Sequence, residues 1–143
     1  MKRNLFWFII ILSLFVASNV FAIQIKINVY DATRHNRFLS GYSTLPVENP
    51  GFIASSYDWS GVGWDSTNSN KSVALISPQH FVCANHYRLN ENVTFLNQSG
   101  QLKTYGIDKY STFSFTASDG EHVSDLALGW LDSPILEIDN INY

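Results

Sequence analysis

One cysteine in 143 residues rules out any disulfide within the chain, so Cys83 is read as a small buried apolar residue. Basic residues are also scarce. There are nine Lys and Arg against twelve Asp and Glu, and no basic patch that would neutralise phosphates, which argues against nucleic-acid binding. Four prolines and eight glycines are too few for a low-complexity or collagenous chain. Long helical periodicity is missing, as are internal repeats. The one long apolar run, Leu5 to Ala17, falls short of the roughly 20 residues that span a bilayer.

That apolar run follows Lys2-Arg3 and leads to Val20-Phe21-Ala22, with small residues at the −3 and −1 positions of a cut. Residues 1–22 therefore read as a secretory signal peptide, and the protein is expected to be secreted or periplasmic, without stable membrane association after cleavage. Residues 23–143 then carry seven basic against twelve acidic side chains. An exported domain without disulfides must be held by its core or by a partner. Asn-x-Ser/Thr sequons occur at Asn70, Asn92 and Asn97.

What is present is a series of short runs rich in β-branched and aromatic residues, separated by Gly, Asn, Asp and Ser. Strands are expected over Ile23–Tyr30, after Gly61-Val62-Gly63-Trp64-Asp65, and over Val73–Ile76, Phe81–Ala84, Val93–Leu96, Gln101–Ile107, Thr112–Thr116 and Leu126–Leu131. Thr33–Trp59 reads mainly as loop. Thr67–Lys71, Ser77-Pro78-Gln79 and Ser99-Gly100 read as turns. Six to eight short strands at this spacing predict an all-β barrel or sandwich.

Two stretches bear chemistry. Cys83-Ala84-Asn85-His86 ends a strand on an imidazole, and Ser124-Asp125-Leu126-Ala127-Leu128 opens a later one with a carboxylate. If intervening strands close a barrel, Asp125 can meet His86, fix its tautomer and leave the other ring nitrogen free as a base. His86 can equally be a satisfied structural histidine, and Asp125 a strand-entry cap. His80, Cys83 and His86 raise the thought of zinc, with His122 as a fourth ligand. Strand alternation turns Cys83 away from His86, however, so no metal and no cofactor is expected. His122, beside Glu121 in a Ser/Asp/Gly-rich loop, is expected in solvent. Phe52, Tyr57, Trp59 and Trp64 are expected to pack rather than form a sugar-binding surface.

"ALISPQHFVCANHY" resembles the segment around the catalytic histidine of trypsin-like serine proteases, and "SDLALGWLDSPI" their Asp-Ile-Ala-Leu segment, in the same order. The resemblance runs from about Trp59 to Ile135. It implies a trypsin-like antiparallel β-barrel, the first of that family's two barrels, with His86 as general base and Asp125 as its orienting carboxylate. Asn85 departs from the family's alanine, and Tyr87 from its half-cystine. No Ile-Val-Gly-Gly start is present. Gly-Asp-Ser-Gly-Gly is also absent, and Ser133, the only serine after Asp125, sits poorly for a nucleophile. The resemblance therefore implies residues 23–143 as a truncated peptidase domain, acting on peptide or protein substrates only when completed by a second barrel and inactive alone. Self-association through the face left bare is expected. The rival reading is a secreted, non-catalytic β-barrel binding module derived from a protease.

Overall fold

The computed structural model describes residues 29–39, 41, 42 and 45–143. The signal-peptide segment lies outside the described residues, as does the expected first strand apart from Val29 and Tyr30, which belong to no strand. Six strands follow: β1 (Val62–Asp65), β2 (Asn68–Leu75), β3 (His80–Ala84), β4 (Asn92–Leu96), β5 (Leu102–Ala117) and β6 (Gly120–Leu131). They close an antiparallel barrel in the order β1-β2-β3-β6-β5-β4. β4, β5 and β6 are joined as consecutive hairpins, and β3 returns beside β6, which is a Greek key. The described chain is thus all-β, with one α-helical turn at Ala32–His35 and 3₁₀ turns at Asn85–Tyr87 and Glu137–Asp139. No described helix is long and apolar enough to cross a membrane.

Strand alternation builds the core. Phe81 and Cys83 point inward from β3, and Val73 and Leu75 from β2. Val93 and Phe95 join them from β4, and Ala127 and Leu131 from β6. Leu126, Leu128 and Trp130 share the other, outer face of β6. One inner position of β6, Gly129, is kept small by Phe81. Gly129 pairs with Phe81 across the β3–β6 ladder, and a Cβ on Gly129 would lie 2.1 Å from the Phe81 ring. A second cluster, Phe38, Trp64 and Leu96, fastens the N-terminal segment to the barrel. Trp64 is therefore a core residue, and Trp59 packs on Phe52 with ring centroids 5.4 Å apart, whereas Tyr57, expected to pack with them, is exposed.

The segment before β1 is mostly loop, as its proline and asparagine content implies. Asn49 organises it: its buried amide donates to the carbonyls of Ala32, Thr33 and Asn36 and accepts from the N–H of Gly51.

Three expectations need correction. Only Ser66 and Thr67 turn between β1 and β2, because the Asp65 carboxylate accepts from the Thr67 N–H and hydroxyl, and Asn68–Lys71 is already strand. Gln101–Ile107 and Thr112–Thr116 are one strand, the polar Asp108-Lys109 step being absorbed in an irregularity of the ladder. Finally, β6 starts at Gly120, so His122 lies in a strand rather than a loop. It remains exposed, its Nε2 2.8 Å from Asp119 Oδ1.

Candidate functional site

β3 pairs with β6 as far as Ala84↔Leu126 and then leaves the sheet in the 3₁₀ turn Asn85–Tyr87. Opposite that exit, β6 is bulged. The β5–β6 register passes from Thr112↔Ala127 to Ser114↔Val123, so β6 spends four residues where β5 spends two. Ser124, Asp125 and Leu126 occupy the bulge, and the Leu126 N–H folds back onto Ser124 Oγ at 3.1 Å. Bulges re-aim side chains, and this one presents Asp125 to the turn.

The carboxylate of Asp125 there holds His86 twice. His86 Nδ1 is 2.7 Å from Oδ1 and 2.8 Å from Oδ2, and the His86 backbone N–H donates to Oδ1 at 3.0 Å. Facing an ionised carboxylate, Nδ1 carries the proton, and Nε2 of the neutral ring is then the acceptor. Nε2 has no hydrogen-bond partner among the described residues. The hydrogen bond from the His86 ring, with that from its backbone N–H, holds the Asp125 carboxyl below its ordinary value. Both side chains are open to water, at 72% and 63% exposure, so solvent screens the pair.

Residues that the sequence did not single out as partners fix the turn. Asn85 Nδ2 donates to the Ser124 carbonyl in the bulge at 3.1 Å, and Asn85 Oδ1 accepts from Arg88 Nε at 2.9 Å and also from Arg88 Nη2. Arg88 in turn lies over the Tyr110 ring. Tyr87 stacks beside His86 with an interplanar angle of 17°, and its hydroxyl accepts from Asn68 Nδ2 at 2.8 Å. Lys71 sits over its ring. The signal that could have found this network was the pair of departures at Asn85 and Tyr87. Asn85 and Tyr87 are polar latches that tie the histidine turn to β6 and β2.

The other candidates go elsewhere. Cys83 points into the core, and burial pushes its thiol up. His80 Nδ1 bonds Ser77 Oγ at 2.7 Å, and its ring packs edge-on against Trp130. The described residues contain no group of three or more His, Cys, Asp or Glu placed to hold a metal. The Ser133 hydroxyl donates to Asp132; Ser60, at the start of the approach to β1, is buried with its Oγ accepting from the Asn142 N–H. Asn97 is buried, with its amide on the Asp139 carbonyl at 2.8 Å, so a glycan there is incompatible with this fold. Asn70 and Asn92 are exposed. No known family, curated protein or solved structure matches the chain.

Proposed function

We propose that this chain is the first barrel of a trypsin-like serine endopeptidase, exported after loss of residues 1–22, with His86 as general base and Asp125 as its orienting carboxylate. The observation that carries this reading is the grip of Asp125 on both His86 Nδ1 and the His86 backbone N–H across 39 residues of sequence, which leaves Nε2 open. In peptide hydrolysis Nε2 takes the proton of an attacking serine hydroxyl and returns it to the leaving amine, while Asp125 stabilises the imidazolium that forms between those steps. The serine and the donors for the developing oxyanion belong to a second barrel in this reading. Its docking over the pair would also remove the solvent that now screens it.

Three experiments test the proposal. The purified protein alone is expected neither to cleave peptides nor to react with a serine-directed phosphonate. Labelling that maps to Ser60 or Ser133 would contradict this. The nucleotide sequence that follows the gene is expected to encode Gly-Asp-Ser-Gly-Gly, and joining that barrel should restore hydrolysis, with Asp125→Asn about 10⁴-fold slower. A joined, folded and active protein indifferent to both Asp125→Asn and His86→Ala refutes the roles assigned here. A gene with no serine-bearing barrel near it and a monodisperse monomer would favour the binding-module reading. Export is checked by N-terminal sequencing, with Ile23 as the expected first residue.

A further inference from the structure

Beyond the barrel, β5 and β6 continue as a two-stranded arm. From Ser111 to Val123 every residue of the two strands is exposed. β4 pairs with β5 only as far as Gly106, so the outer edge of β5 is open along the arm. Proteins usually protect such an edge with charge, proline or a bulge that twists it away. Here Tyr110–Ala117, YSTFSFTA, contains no charged residue or proline, and the extra residues of the bulge at Thr112–Ser114 lie on β6, not on this edge. Phe113 and Phe115, two apart and so on one face, are 47% and 55% exposed.

The edge also reads the same in both directions. Thr112-Phe113-Ser114-Phe115-Thr116 is a palindrome. Two copies paired antiparallel about a twofold axis at Ser114 place Phe113 opposite Phe115 and Thr112 opposite Thr116. A twofold interface requires this kind of self-complementarity, and aromatic and Thr–Thr pairs are favourable cross-strand partners. The same register brings Lys109, which carries Asp108 beside it, toward the turn of the other copy, where Asp119 holds His122, so no like-charge pair opposes the pairing at either end.

From these observations we infer that the arm is a homodimerisation edge, its occupant the same arm of a second copy. The inference does not rest on the proposed protease function.

Cysteine cross-linking tests the register, because the native Cys83 is buried. Ser114→Cys sits on the axis and is expected to form a disulfide-linked dimer under mild oxidation. Thr112→Cys and Thr116→Cys should each stay uncross-linked alone and cross-link when mixed. In sedimentation velocity the unmodified protein should show a concentration-dependent dimer. Ser114→Lys sets two like charges opposite each other and should weaken that dimer about tenfold with circular dichroism unchanged. The inference is overturned if the protein is monomeric at every concentration, or if Ser114→Cys cross-links no faster than Thr112→Cys alone. Association that Ser114→Lys leaves intact also overturns it, and would point to the barrel face instead.

Discussion

Asp125 acts through geometry rather than burial. Hydrogen bonds from His86, first from the ring and then from the backbone N–H, hold its carboxyl below the ordinary 3.8. A carboxyl depressed in the folded state contributes stability above its unfolded value and loses that contribution as pH falls through the lower folded value. Asp125→Asn is therefore expected to be slightly less stable than the native protein at neutral pH. The gap should close as pH falls below 3.8, and it should be small throughout because the pair is open to water. Urea midpoints measured across a pH series check this. A gap that holds unchanged down to about pH 2, or widens in acid, would show that Asp125 matters for some reason other than its charged hydrogen bonds.

At the scale of the element, β6 shows which parts of the fold were legible. Its alternation revealed a strand, and a histidine ending one strand with an aspartate opening a later one suggested the pair that meets here. The inner face was harder to read, because Ala127 and Gly129 bury little hydrophobic bulk of their own and Leu131 alone is large. The small size of Gly129 matters only against Phe81, a residue 48 positions before it in the chain. The bulge that aims Asp125 was equally hidden, since it exists only in the register between β5 and β6. The bond from Asn85 to the Ser124 carbonyl was hidden for the same reason, since it joins separate elements 39 residues apart, whereas the Asn85–Arg88 bonds are local to the turn. The continuity of β5 through Asp108 and Lys109 was masked because two polar residues in a row look like a turn. The fit at Gly129 makes a direct prediction. Gly129→Ala drives a methyl into the Phe81 ring, and neither strand can shift without breaking the Phe81↔Gly129 ladder. Overpacking of this kind is expected to cost about 1–3 kcal/mol, read as a lower urea midpoint. Coupling it with Phe81→Leu, which opens space, should recover part of the loss. A Gly129→Ala variant as stable as the native protein would mean that the two strands are less tightly joined than their pairing implies.

Across the whole molecule, barrel closure depends on residues outside the barrel. β1 and β4 close it through a single paired position, Trp64↔Thr94, whereas β3–β6 and β5–β6 have long ladders. The chain after β6 reinforces that end. The Gln98 N–H donates to the Asn140 carbonyl, the Asn142 N–H to Ser60 Oγ, and Asn142 Nδ2 to Asp58. Burial pushes the Asp58 carboxyl up, but hydrogen bonds from Ser60, Gln98 and Asn142 outweigh it and hold the group at about 2. The strap therefore keeps its charged anchor well into acid. Polar contacts alone would make a weak closure, and the larger contribution is apolar. Ile135 and Ile141 are 6% and 5% exposed and belong to the same cluster as Phe81, Phe95 and Leu131. They extend the barrel core from a segment that contributes no strand to the sheet. Ile141→Ala is accordingly expected to cost about 2–5 kcal/mol, the range for emptying a buried aliphatic site. The same substitution at Ile138, which is 81% exposed in the same segment, should fall within about 0.5 kcal/mol of the native protein. Hydrogen exchange distinguishes an effect on closure from one on the core in general: Ile141→Ala should release β1 and β4 amides ahead of those in β3 and β6. Equal urea midpoints for the two variants would mean that the strap merely lies on the barrel and does not hold it shut.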